Sequence, residues 1–453
     1  MENTKIDTEK LKMFESMPVP KAVMKNAVPS IIGMIMVMVY NMADTFFIAQ
    51  THSDLQVAAV SLATPLFMVF MGLGNLFGAG GTSVISRALG AERSEYASKV
   101  SAFCMWSCVA CGTALMLALW LFMTPLLRLI GASAETESLA RSYLSIVAIC
   151  GPFIMFSSCF STIIRAEGKA ASAMTGMLIG NIANILLDPL LILAFGWGIA
   201  GAAIATVVGN LAASAFYLLY FFRKKSTLSI SPKHFTVRDN VLTSVFAIGL
   251  PASLGNLLMS ASHIFVNGMM AGYGDLAVAA MGVAMKMPML VGTMCIGLGQ
   301  GAQPLLGYCV GGQLWRRYKE IFRFSMICAA AFGIALTGIC YLFADNIVGA
   351  FLTEAETFRY GVRFAKIIMC TGAQFGVFYL ITSALQAMGS AIPTFVISLS
   401  RQGLVYIPTL VILNTLLGIN GLVWAQPVAD ILSLILAIVM YRTVIRRKMY
   451  ADA

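Results

Sequence analysis

Residues 28–49 read VPSIIGMIMVMVYNMADTFFIA, an apolar run with a single carboxylate, Asp44, inside it. A helix needs about 20 apolar residues to cross the hydrocarbon layer of a bilayer, and this run is that long. An acidic side chain at membrane depth is costly, and it is found where it serves the movement of ions or substrates. The stretch therefore predicts a membrane-spanning helix with a functional acid inside it.

The composition extends this prediction to the whole chain. Of its 453 residues, 59% are hydrophobic and 11% are charged, and the mean hydropathy is +0.85. Such values exclude a set of soluble domains and are typical of a polytopic membrane protein. Apolar runs of membrane-spanning length recur to a total of twelve, so the sequence predicts an all-α fold with twelve transmembrane helices.

The basic residues indicate an orientation in the membrane. The net charge is +10, and most of the lysines and arginines fall in the two tails and in the even-numbered connections between the spans. The opposite loops hold only Arg128, Arg141, Arg359 and Arg363. This asymmetry is the positive-inside pattern, so we expect both termini to be cytoplasmic and no nucleic-acid partner. Residues 1–21 lack the apolar core of a cleavable signal peptide, and the first span is expected to direct insertion.

The two halves of the chain repeat each other. The sequence DLQVAAV at residues 54–60 returns as DLAVAAM at 275–281, and GLGN at 72–75 returns as GLGQ at 297–300. Each half holds an even number of spans, so the sequence predicts two parallel six-helix lobes around a central cleft, an arrangement suited to alternating access. The predicted segments are a tail at 1–26, a first lobe at 27–222, a linker at 223–244, a second lobe at 245–443 and a tail at 444–453.

Two short motifs add a family resemblance. SRALGAE follows the second span at residues 86–92, and RAEG follows the fourth at 165–168, with the echo QAMG at 386–389 in the second half. With twelve spans in two lobes, these motifs resemble the multidrug and toxic compound extrusion (MATE) transporters, and in particular their prokaryotic DinF-like and MepA-like branch. The resemblance covers essentially the whole chain. It implies a prokaryotic cytoplasmic (inner) membrane protein.

The resemblance also implies a cation-coupling site in the first lobe. That branch carries a Tyr and an Asp four residues apart in helix one, an Asn and an Asp four apart in helix five, and a Thr in helix six. The matching residues are Tyr40, Asp44, Asn184, Asp188 and Thr206. Positions i and i+4 share a helix face, so each helix presents one polar pair toward a common point.

The function implied is antiport coupled to H⁺, Na⁺ or both, exporting organic cations as drugs or metabolites. The protein would be a transporter without enzymatic activity or a cofactor. Its partners would be small-molecule organic cations and the lipid bilayer, and it would act as a monomer. Asp44 and Asp188 would supply any Na⁺ ligands. Second-lobe acids of the NorM-like branch are missing, because helix seven offers His263 and helix ten only Lys366. The candidate lining of the substrate cleft is Met34, Asn41, Phe67, Met259, His263 and Met285.

The second half holds fixed charges of its own inside apolar segments. Asp430 is the acid that falls clearly within a span there, and Lys286 and Arg401 are cations within spans. A buried cation is less costly when it meets an anion. We therefore expect Asp430 to pair with Lys286 or Arg401 as a structural or gating ion pair.

Three other functions compete with antiport. A flippase for lipid-linked precursors belongs to the same wider superfamily, but such proteins usually have fourteen spans. An intramembrane aspartyl protease is suggested by GYGD at residues 272–275, although the repeat places Asp275 in a short loop. A passive channel would not need two titratable acids.

Overall fold

The computed structural model describes residues 12–51, 53–129, 134–223, 226–352 and 354–451, and within these ranges the chain forms helices and no strand. Ten of the described helices are long and apolar enough to cross a membrane. The number of spans rises to twelve when each of two bent helix pairs is counted as one. Twelve spans agree with the twelve apolar runs of the sequence. The spans are helical because a helix satisfies its own backbone hydrogen bonds in lipid.

The described ranges contain seventeen α-helices, which we number in chain order. The first seven are α1 Val19–Ala49, α2 Asp54–Gly90, α3 Ser94–Leu129, α4 Ala134–Ile149, α5 Gly151–Ala166, α6 Ala170–Asp188 and α7 Gly198–Phe222. The others are α8 Val241–Ala271, α9 Asp275–Ala284, α10 Lys286–Gly311, α11 Trp315–Leu342, α12 Ala344–Gly349, α13 Ala355–Met369, α14 Phe375–Ala387, α15 Ala391–Leu399, α16 Tyr406–Leu417 and α17 Ile419–Ala451. Three π-helical segments lie at Lys12–Ser16, Pro189–Ala194 and Ser400–Leu404, and short 3-10 turns lie at Pro232–His234 and Gly372–Gln374.

The fourth span of each half is a bent pair of helices. In the first half, Thr136–Ile149 and Gly151–Ala166 meet at 58°, and Pro152 stands in the first turn of the second helix. In the second half, Ala355–Met369 and Gly372–Ala387 meet at 41°. Proline is well suited to a helix start, where its missing N–H has no intrahelical partner to lose. The sequence predicted each pair as one uninterrupted apolar run, and its length gave no sign of the bend.

The chain divides into two compact units. Of the described residues, the first unit contains residues 12–17 and Ile32–Gly249, and the second contains Pro18–Ile31 and the residues from Leu250 to Ala451. Each unit has a core of buried apolar side chains from several helices. The start of α1 therefore belongs to the second unit and its remainder to the first, a division that the predicted lobe boundaries did not contain.

The helix ends shift some predicted boundaries. Because α1 begins at Val19 and α17 reaches Ala451, much of each predicted tail, at residues 19–26 and 444–451, is helical. The start of α8 at Val241 likewise shortens the predicted linker. Polar and basic residues at these ends extend helices beyond the apolar core, which a hydropathy count does not register. Residues 1–11 and 452–453 of the tails and 224–225 of the linker lie outside the described residues.

The linker is fastened to the first unit by a buried acid. Glu167 accepts hydrogen bonds from the backbone N–H of Thr227 at 2.8 Å, from the Thr227 hydroxyl at 2.9 Å and from the Ser226 hydroxyl at 2.8 Å. Tyr220 donates to the same carboxylate at 3.3 Å. Trp106 Nε1 donates to the carbonyl of Ile230 at 3.2 Å. These bonds give the RAEG acid a structural role, because they satisfy a carboxylate that would otherwise be buried alone.

Candidate functional site

One part of the candidate site, the pair Tyr40 and Asp44, lies on α1, within the first unit. Tyr40 and Asp44 stand one helical turn apart, and both side chains are half-buried. Asn41, which the sequence placed among the cleft candidates, is exposed. The spacing of four residues therefore gives the shared face that the sequence predicted.

The other part of the site, the pair Asn184 and Asp188, lies where α6 ends. Asn184 and Asp188 are both buried, and Asp188 is completely inaccessible to solvent. The Asn184 side-chain amide takes the orientation in which its nitrogen donates to Asp188 Oδ2 at 2.9 Å and its oxygen accepts from the backbone N–H of Thr206 at 3.0 Å. The neighbours of an amide fix this orientation, since donor must face acceptor. The amide thus connects the acid of α6 to α7.

Thr206 on α7 lies next to both parts of the site. Its buried side chain lies beside the hydroxyl groups of Tyr40 and Tyr143, close enough to interact with both. Asp44 lies close enough to Asp188 for the two carboxyl groups to interact electrostatically. The structure therefore brings together all five residues that the resemblance singled out, within one unit.

Tyr143 is the member that the sequence did not indicate. It lies on α4, is buried, and interacts electrostatically with Asp44, Tyr40 and Asp188. A tyrosine inside an apolar span is a weak signal, because its ring packs as a hydrophobic group whatever its hydroxyl contacts. It has no polar partner four residues away on α4, and it is not among the five residues that the family resemblance implied.

Each acid keeps one buried oxygen free for a ligand. Asp44 Oδ1 and Asp188 Oδ1 have no hydrogen-bond partner among the described residues. A buried carboxylate oxygen without a partner is unfavourable, and a proton or a cation removes the penalty. Carboxylate and hydroxyl oxygens are also the donors that a hard cation such as Na⁺ prefers. Among the described residues, no group of three or more His, Cys, Asp or Glu side chains forms a metal cluster.

Two glycines set the spacing of the helices that carry the site. A Cβ at Gly209 would lie 2.7 Å from the carbonyl oxygen of Gly180 and 3.2 Å from Asn184 Cβ. A Cβ at Gly180 would in turn lie 2.8 Å from the carbonyl oxygen of Gly209. Small residues at such crossings let membrane helices approach closely. The contact of Asn184 with Thr206 depends on this close approach.

We expect Gly209→Val to separate α6 from α7, because the obstructing atom is backbone and cannot rotate away. The variant should lose about 1–3 kcal/mol of stability by overpacking, and its export activity should fall because Asn184 no longer reaches Thr206. Thermal unfolding in detergent and export from cells measure the two effects. Gly338→Val is the matched control, since a Cβ at Gly338 meets nothing within 4 Å. Equal behaviour of the two variants would contradict the prediction.

The second unit contains a separate buried ion pair. Arg401 Nε lies 2.9 Å from Asp430 Oδ1, and Arg401 Nη1 donates to the Tyr379 hydroxyl at 2.6 Å. Gln426 Nε2 also donates to Asp430 Oδ1, at 3.0 Å. The guanidinium carbon lies 4.7 Å from the centroid of the Phe375 ring, within cation–π range.

Of the two cations that the sequence left open as partners of Asp430, the structure pairs it with Arg401. The alternative with Lys286 is wrong. Lys286 is exposed, and its Nζ lies 5.4 Å from the centroid of the Phe351 ring. Lys286 begins α10, where a short break follows α9 at Met285, so its side chain starts from a helix end and not from the middle of a span.

The remaining cleft candidates form no polar cluster with these groups. Phe67 and Met285 pack against the cores of the first and second unit respectively. Met34 and His263 are half-buried, and Met259 is exposed. A role of these five residues in substrate contact stays a prediction.

Comparisons with known proteins agree with this architecture. The family model named MatE matches residues 29–190 and again 251–412, one match in each half of the repeat. Multidrug export protein MepA from Staphylococcus aureus is 30% identical over 432 residues, which cover 95% of each chain. MepA from Staphylococcus saprophyticus is 30% identical over 422 residues, covering 93% of each.

Solved structures share the fold at lower identity. An outward-facing multidrug resistance MATE family transporter of the MOP superfamily superimposes with a TM-score of 0.92 at 24% identity, covering 97% of this chain and 98% of the other. A MOP superfamily transporter from Pyrococcus furiosus gives a TM-score of 0.90 at 23% identity, covering 97% and 98%. At these identities the likeness concerns the fold.

Proposed function

The chain belongs to the MATE family of multidrug exporters, and from this premise we propose that it is an antiporter that exports organic cations by alternating access, driven by H⁺, Na⁺ or both. As a member of a transporter family it is a multi-pass membrane protein and not an enzyme. We further propose that it acts as a monomer in a prokaryotic cytoplasmic membrane, with both termini on the cytoplasmic side.

One observation carries the proposal. Asp44 and Asp188 interact within the first unit, and each keeps a buried oxygen without a hydrogen-bond partner among the described residues. Acids inside membrane spans mark ion pathways and proton relays. Two such acids at one place can hold a proton, a metal ion or a positively charged substrate, but their charge cannot attract all of these at once.

Competition for that charge gives the exchange mechanism. With both carboxyl groups ionised, the first unit attracts an organic cation electrostatically. When H⁺ or Na⁺ occupies Asp44 and Asp188, it neutralises the attraction, and the drug is released. Asn184, which donates to Asp188, and Thr206, which meets both tyrosine hydroxyls, hold the acids in place in either state. A ligand can shift the conformation only by binding one state better than another, and the neutralised acids supply that difference.

The second unit gives less support to a coupling ion there. Lys366 pairs with Asp345 at 3.3 Å, and His263 is a lone half-buried imidazole on α8. Asp275 of the GYGD motif is the first residue of α9 and not a mid-helix acid. The protease reading of that motif therefore lacks its structural context.

The test is export of ethidium, a planar organic cation, by the purified protein in liposomes. With a proton gradient and a sodium gradient imposed separately, we expect ethidium movement to follow at least one of them. The Asp44→Asn variant should lose this response, and Asp275→Asn, which removes an acid at a helix start outside the site, should keep it. Ethidium movement that follows neither gradient would overturn the antiport mechanism.

A further inference from the structure

A shallow surface cavity on α13, open to its surroundings, has a basic side and an apolar floor. Its volume is about 560 Å³. Its lining consists of Asp345, Phe358, Arg359, Val362, Arg363, Lys366 and Ile367. Arg359, Arg363 and Lys366 follow the spacing i, i+4, i+7, which places all three on one face of the helix. The cavity therefore presents three cations in a row.

The charge of this row is only partly compensated. Lys366 pairs with Asp345 at 3.3 Å, whereas Arg359 and Arg363 are exposed and form no ion pair with a described residue. Arg128, which the charge pattern assigns to the same side of the membrane, pairs with Glu137 at 3.2 Å. Under the orientation proposed above, Arg359 and Arg363 do not contribute to the positive-inside signal. Their charge is therefore available to an anionic ligand.

The floor of the cavity is apolar and packs against the core of the second unit. Phe358, Val362 and Ile367 are half-buried, and all three pack against the core of the second unit. A free inorganic anion would gain nothing from such a floor. A molecule with a phosphate and an apolar tail would use both parts, because the arginines can bind the phosphate while the tail covers the apolar side chains.

We propose that this cavity binds one anionic phospholipid. The guanidinium groups of Arg359 and Arg363 bind the headgroup phosphate, and the acyl chains lie along Phe358 and Val362. Arginine suits this task because its planar fork offers several donors to one phosphate. An organic cation is repelled by the same two charges, so the lipid site is distinct from the drug and coupling sites of the proposed function.

The experiment is native mass spectrometry of the full chain in an uncharged detergent. Dioctanoyl phosphatidylglycerol and dioctanoyl phosphatidylcholine are titrated separately, since the two lipids share their chains and differ in net charge. We expect one phosphatidylglycerol molecule to bind more tightly than phosphatidylcholine. Arg359→Gln/Arg363→Gln should weaken phosphatidylglycerol binding roughly 25-fold, because each basic residue near an anionic surface contributes roughly fivefold.

Two controls make the result specific to the cavity. Arg446→Gln/Arg447→Gln removes two exposed arginines from the end of α17 and should leave the affinity for phosphatidylglycerol within about twofold, because charge effects fall off over a Debye length of roughly 10 Å. Arg359→Lys/Arg363→Lys keeps the charge but loses the planar fork, so its affinity should lie between those of the unaltered protein and the glutamine variant. Thermal unfolding checks that every variant is folded.

The outcomes separate lipid from other ligands. An equal loss in the α17 variant would overturn the site, because the effect would then be one of net charge. Equal affinity for phosphatidylcholine would overturn the requirement for an anion. If inorganic phosphate displaces phosphatidylglycerol at matched concentration, the cavity is a free-phosphate site and the lipid assignment is wrong. Ethidium export by Arg359→Gln/Arg363→Gln should respond to the gradients as in the unaltered protein, so a failure of the antiport mechanism is detected separately.

Discussion

Asp44→Asn is expected to reduce gradient-driven export to background while the folded protein still accumulates in the membrane. The substitution keeps the size of the side chain and removes its negative charge. Without that charge, the coupling ion and the drug no longer compete for Asp44. A loss of only 1.4 kcal/mol in one binding step weakens that step about tenfold, and here both the drug and the ion lose their partner. Export of ethidium from cells and from liposomes, measured across a range of external pH, reports the effect.

Asp188→Asn should behave nearly the same, because its amide can still accept from Asn184 while its charge is lost. The comparison with Asp275→Asn controls for the removal of an acid elsewhere. An Asp44→Asn protein that exports at the original rate with the original pH dependence would refute the coupling role. A protein that does not accumulate would instead assign Asp44 a structural role, and its stability in detergent distinguishes the two results.

The sequence was sufficient for the helical architecture and for most of the candidate site. Span length and hydropathy predicted twelve crossings because a bilayer imposes the same length on every helix. The spacing of four residues predicted the faces of α1 and α6, because a helix places i and i+4 side by side. Thr206 was found through the family resemblance alone. Tyr143 was missed because it lies on a fourth helix, and the packing of α4 against the others is a tertiary property.

The local backbone around both polar clusters was also beyond the sequence. Asp188 is followed at once by the π-helical segment Pro189–Ala194, and Arg401 lies inside the segment Ser400–Leu404. Such widened turns occur often at functional sites, where they change the direction of a side chain. Pro189 hints at a change in the helix, since it cannot donate to the preceding turn. No proline announces the segment at Arg401.

Breaking the ion pair of the second unit is expected to have the largest effect on stability. Arg401 and Asp430 are both buried, and removing one partner of such a pair leaves a charge without compensation, at about 3–5 kcal/mol. Asp430→Asn should be the more damaging change. The guanidinium cannot lose its proton, whereas a carboxylate left alone by Arg401→Met can take one up and become neutral.

A double-mutant comparison tests this asymmetry. Arg401→Met/Asp430→Asn removes both charges and should be more stable than Asp430→Asn alone, because no buried ion is left unpaired. Melting temperatures in detergent measure the three variants, and Arg401→Met should recover stability as the pH falls while Asp430→Asn should not. Lys286→Met is the matched control, because its exposed ammonium group contacts Phe351 and not Asp430. If Asp430→Asn lowers neither stability nor export, the pair contributes nothing. If it abolishes gradient-driven export at full stability, Asp430 is a second coupling acid and not a structural partner of Arg401.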